Sequence, residues 1–91
     1  MTYAVVLTTD EEPGRAGRLD LERDSFTFSD GRRVRYGDLQ AIYLERAPGK
    51  PPSLVVQLRS GDLLRFVSLE GLGALHELAE QMFDGREHIA A

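Results

Sequence analysis

Between the turn residues that punctuate Leu19 to Phe66, apolar residues recur mainly at every second position, and from Leu72 the spacing changes to three and four. Alternation of period two marks strands with one face on a core and one in water. Spacing of three and four marks one apolar stripe on a helix. A chain with this order of periods folds as antiparallel strands followed by a single helix.

The strand-like runs are separable by their breakers. The first strand runs from Tyr3 to Thr8, and its Tyr3 to Leu7 portion is apolar on both faces, which suits a buried or intersubunit position. Leu19 and Leu21 alternate with Arg18, Asp20 and Glu22; Phe26 and Phe28 with Thr27; Val34 and Tyr36 with Arg33 and Arg35. Asp30-Gly31 predicts a two-residue hairpin in which both turn positions have φ > 0. Leu39 to Arg46 reads as a strand, with a helical turn at Asp38–Ala41 as the alternative. Leu54 to Leu58 and Leu63 to Val67 flank Ser60-Gly61-Asp62 and form a second hairpin. Asp10 to Gly14 and the proline-rich Ala47 to Pro52 read as linkers. The expected architecture is mostly β: two antiparallel sheets forming a small bent barrel or sandwich, closed by one C-terminal helix.

That helix is expected over Glu70 to Phe83, burying Leu72, Leu75, Leu78, Ala79 and Met82. Ser68 is its expected N-cap, Glu70 faces the positive end of its dipole, and Gly85 suits the αL stop. Residues 1–91 form a single domain, with 84–91 as a flexible tail.

Charge and composition narrow the function. The 91 residues carry a net charge of −4, and Lys50 is the sole lysine among eleven basic residues. This is not the footprint of a nucleic-acid or anionic-membrane binder. The absence of cysteine removes disulfides, thiolate metal sites and Cys nucleophiles. Met1 to Leu7 lacks a basic n-region and no apolar run reaches the ~20 residues that span a bilayer, so a soluble cytoplasmic protein without integral membrane contact is expected.

No catalytic, metal or cofactor site is expected. His76 has Glu80 and Asp84 at helical spacing, but a metal needs three or four converging ligands. Asp20 and Glu22 share a strand face opposite Leu19 and Leu21, which is a solvated face rather than a carboxylate pair across a pocket. Gly-x-Ser-x-Gly is absent, and Gly71-x-Gly73 lacks a βαβ setting. The one local positive cluster is Arg32, Arg33 and Arg35, a candidate site for a phosphate, lipid headgroup or acidic peptide.

A resemblance adds to this reading. Gly17-Arg18-Leu19-Asp20-Leu21-Glu22, Phe26-Thr27-Phe28, Val34-Arg35-Tyr36-Gly37-Asp38-Leu39-Gln40-Ala41-Ile42, Leu54-Val55-Val56-Gln57-Leu58 and Gly61-Asp62-Leu63-Leu64-Arg65-Phe66, followed by a Leu-rich helix, resemble the pleckstrin-homology-like superfamily, its bacterial and GRAM-type members above all. The resemblance covers residues 17 to 83. It implies a seven-stranded bent barrel with one helix, and a scaffold that binds peptides, proteins or lipids rather than a catalyst. One departure stands out. Phosphoinositide-binding members carry a basic loop between the first two strands, whereas here that loop is Asp10-Glu11-Glu12-Pro13-Gly14. Arg33-Val34-Arg35 imitates a phosphate clamp, but on a later hairpin and without a partner Lys. The function expected is therefore a non-enzymatic binding or assembly module, with a protein partner or a second copy, a homodimer in the simplest case. The alternative is an anionic ligand at the Arg cluster.

Overall fold

A computed structural model of the chain describes residues 1–90, with side chains to residue 87. Seven strands precede one helix: β1 (Thr2–Thr9), β2 (Arg15–Leu21), β3 (Ser25–Phe28), β4 (Arg33–Arg35), β5 (Leu39–Glu45), β6 (Ser53–Leu58), β7 (Leu63–Ser68) and α1 (Leu72–Ala90). The 3-10 turn lies at Tyr36–Asp38, ahead of the Asp38–Ala41 position considered for it, and links β4 to β5.

The strands form one sheet, in the order β4-β3-β2-β1-β7-β6-β5, rather than the two expected. The reason lies in β1. It pairs antiparallel with β2 through Thr2–Leu7 and with β7 through Val5–Thr9, so the ladder runs unbroken from one half of the chain to the other. This also places β1 at the centre of the sheet, flanked by strands of its own chain. The sheet curls into a half-barrel whose two edges, β4 and β5, are neighbours in sequence yet do not pair.

The inner face of the curl is the core. Tyr3, Val5 and Leu7 point inward from β1, and Phe26 of β3 meets Phe66 of β7 edge-to-face, 6.0 Å between centroids at 85°. That geometry adds about 0.5–1.5 kcal/mol to the area the rings bury. Leu75, Leu78, Ala79 and Met82 of α1 close the core from above, at the expected helical spacing.

Both ends of the helix depart from expectation. Leu72 is 44% exposed and drops out of the stripe. The helix starts later than Glu70 because the preceding segment is held elsewhere. The Ser68 hydroxyl accepts the Glu70 N–H (3.0 Å), Gly71 turns at φ 101°, and the Glu70 carboxylate accepts the Ala4 N–H at 2.6 Å instead of facing the helix dipole. At the other end α1 does not stop at Gly85. It continues to Ala90, so residues 84–90 are helical where a tail was expected, and Ala91 lies outside the described residues. Packing explains the continuation: the Tyr36 ring lies against the Gly85 backbone, and the Arg86 guanidinium donates to the Gln40 carbonyl of β5 at 2.9 Å.

Candidate functional site

Two hairpins with the same construction frame the open seam of the half-barrel. In one, Gly31 N–H donates to Phe28 O and Phe28 N–H to Arg32 O, at 2.9 and 2.7 Å. In the other, Gly61 N–H donates to Leu58 O and Leu58 N–H to Asp62 O, both at 2.9 Å. Each loop has three residues, with only the glycine at positive φ (99° in both). The Asp30-Gly31 turn is thus a three-residue loop with a bulged glycine, not a two-residue turn with two positive φ values.

The first hairpin fixes which way the β4 backbone points. Phe28 with Arg32 is a hydrogen-bonded pair, and Tyr36 N–H donates to Asp24 O at 3.0 Å. The register pairs Phe26 with Val34 between them. In an antiparallel ladder, hydrogen-bonded pairs alternate with non-bonded ones. The Val34 backbone groups and the Tyr36 N–H therefore face β3, and the Arg33 N–H, Arg33 C=O and Arg35 N–H face away from it, toward the seam. The carbonyls of Arg35, the N-cap, and of Tyr36 accept the bonds of the 3-10 turn.

Across the seam stands the β6–β7 hairpin. Between the two lies a cleft of about 460 Å³, walled by Arg33 and Val34 on one side and Leu58, Leu63 and Leu64 on the other. This is within the range of ligand-sized clefts, about 300–1,000 Å³. A smaller cavity of about 240 Å³ continues it past Arg33, Val34 and Leu58 to Arg59. Arg59 donates from its backbone N–H to Asp38 O (2.9 Å) and from Nε to Gly37 O (3.0 Å), tying β6 to the 3-10 turn. The acidic Asp10–Glu12 loop forms the open mouth.

The three arginines do not form one positive patch. Arg32 Nη2 lies 3.8 Å from both Glu12 and Asp30, and Arg15 bridges to the same two carboxylates at 3.5 and 3.7 Å. Arg33 lies 3.8 Å from Asp24 and donates from Nε to the buried Ser25 hydroxyl at 3.1 Å. Arg35 shares the Arg33 face of the strand and has no ion pair among the described residues. The exposed pairs, Arg15–Glu12 and Arg33–Asp24, add little stability, about 0–1 kcal/mol each, but together with the partly buried Arg32–Asp30 pair they set the local charge. The cleft is lined by Asp10, Glu11, Glu12 and Asp62 against Arg32 and Arg33, leaving two negative charges in excess.

Elsewhere the titratable groups are scattered. His76, Glu80 and Asp84 are exposed on α1, and Asp20 and Glu22 on the outer face of β2 and the turn after it. Among the described residues no three His, Cys, Asp or Glu side chains gather as a metal site would require. Among the described residues the two perturbed groups are tyrosines. Burial, then the Glu77 carboxylate that accepts from its hydroxyl at 3.0 Å, pushes Tyr3 up to about 12. Burial, then the charges of Asp24 and Glu22, pushes Tyr36 to about 12. Both are structural links: Tyr3 ties β1 to α1, and Tyr36 donates to Glu22 O at 3.1 Å.

No family model matches the chain, and no curated protein matches it. Among the described residues no helix is long and apolar enough to cross a membrane. The slot itself escaped sequence reasoning, because its walls come from the β3–β4 and β6–β7 hairpins and its mouth from the first loop. The one local signal is the polar-apolar-polar triplet Arg33-Val34-Arg35, which is short enough to be an edge strand.

Proposed function

We propose that this chain is a non-enzymatic protein-binding module of pleckstrin-homology-like architecture that docks a partner along the free edge of β4. The observation that carries the reading is the seam: a strand edge with the Arg33 N–H and C=O and the Arg35 N–H turned away from the sheet, beside a cleft that joins the apolar Val34, Leu58, Leu63 and Leu64 to a charged mouth. Edges of this kind are templates for strand addition, in which main-chain bonds supply affinity and flanking pockets supply selectivity. The architecture is supported by seven strands in meander order, closure through β1 and β7, and one C-terminal helix over the core. Fold alone does not assign a ligand, so the partner is argued from the slot.

The anionic-ligand alternative has less support, since Arg32 and Arg33 already face Glu12, Asp30 and Asp24. Selecting linear peptides from a random library against the whole chain tests the proposal. Enriched peptides are expected to shift the amide resonances of Arg33 and Arg35. A selection that enriches nothing, or enriches peptides that leave both amides unmoved, overturns it.

A further inference from the structure

Three properties of the slot specify its occupant more narrowly. The first is the backbone of its β4 wall. The Arg33 N–H and C=O and the Arg35 N–H face the seam from alternate positions, groups that an added strand would pair with, while the Arg35 carbonyl is taken by the 3-10 turn. The second is the facing wall, where Leu58 and Leu63 are half-buried and give apolar surface beside Val34.

The third is charge, and its signs are not interchangeable. Arg32 and Arg33 are each already within 4 Å of a carboxylate. Asp10, Glu11 and Asp62 have no cation at salt-bridge distance among the described residues; the Asp62 carboxylate accepts the Ser60 hydroxyl, at 3.1 Å. Among the residues lining the cleft, the negative charge in excess is therefore also the unpaired charge; Arg35, which has no ion pair among the described residues, is not part of that lining. A second copy of this chain fits poorly. Antiparallel pairing of two β4 edges would set Arg33 and Arg35 of one copy against those of the other, and like charges directly opposite destabilise a ladder.

We infer that the slot takes an extended segment of a different protein carrying a Lys or Arg side chain, added as a strand to β4. Its aliphatic stem lies along Leu58 and Leu63, and its charge meets Asp10, Glu11 and Asp62. This names the ligand class of the binding module proposed above and rests on that reading.

Three short end-capped peptides of alternating Val and Thr, differing only in a central Lys, Ala or Glu, test it by NMR titration of the whole chain at low ionic strength. The Lys peptide is expected to move the Arg33 and Arg35 amides saturably and to bind at least about tenfold more tightly than the Glu peptide. Its affinity should fall with added salt. It should fall by roughly tenfold in the combined variant Asp10→Asn, Glu11→Gln, Asp62→Asn, whose exposed substitutions leave the core untouched. If the three peptides bind alike at β4, the docking edge stands and the cationic ligand class is wrong. If none of them moves those amides, the docking edge is wrong as well.

Discussion

The ring of Tyr36 rests on the backbone of Gly85 so closely that a Cβ added to Gly85 would sit 2.5 Å from Cε2 and 2.8 Å from Cδ2. Gly85 lies within α1, where alanine would ordinarily stabilise by up to about 1 kcal/mol. Here the ring is buried and held by its bond to Glu22 O, so it cannot swing away. Overpacking of this kind costs about 1–3 kcal/mol. Gly85→Ala is therefore expected to lower the thermal midpoint by several degrees, and Gly85→Ala with Tyr36→Leu to lose less than the two single changes together. A more stable Gly85→Ala protein would show that the helix does not pack on Tyr36.

Alkaline pH should weaken the fold through Tyr3 and Tyr36. Both titrate near 10.0 when free and are pushed up to about 12 here, so the folded chain prefers the neutral phenols. A raised pKa of this kind contributes stability that is complete below about pH 10 and is lost as pH rises toward 12. Denaturant midpoints measured across that window should fall. Tyr3→Phe should cost about 1 kcal/mol at neutral pH, by loss of the bond to Glu77, and its deficit should shrink toward pH 12. A constant deficit across the window would contradict the assigned link.

Inorganic phosphate should leave the thermal midpoint unchanged at low ionic strength, because Arg32 is engaged by Glu12 and Asp30 and Arg33 by Asp24. A ligand that binds only the folded chain raises the midpoint with concentration. The combined Glu12→Gln, Asp30→Asn variant releases Arg15 and Arg32 from their shared carboxylates and should acquire such a response. A saturable rise in the unaltered protein would instead favour the anionic ligand.

Much of this fold is legible locally. Alternation placed Leu19, Phe26, Phe28, Leu54 and Leu64 inward, and helical spacing placed Leu75, Leu78 and Met82, because each pattern reports which side of its own element is buried. The single sheet was not legible, since it depends on Val5–Thr9 pairing with a strand some sixty residues later. Val55 illustrates the same limit. It faces outward by alternation yet is fully buried, because it lies between Tyr43 and Arg65 while Arg65 reaches across β6 to Glu45 at 3.0 Å. The carboxylates around Arg32 and Arg33 were hidden for a related reason. The arginines were visible in one short run, but Glu12 and Asp24 come from other turns.

The free edge of β4 is the claim on which the functional account depends, and amide hydrogen exchange in the unliganded chain tests it without a partner. The register predicts alternation: the Val34 and Tyr36 amides, bonded to β3, exchange slowly, while those of Arg33 and Arg35 exchange at rates near those of exposed loops, at every protein concentration tried. Protection of Arg33 and Arg35 equal to that of Val34 would mean that the edge is already covered, and the docking account would be wrong.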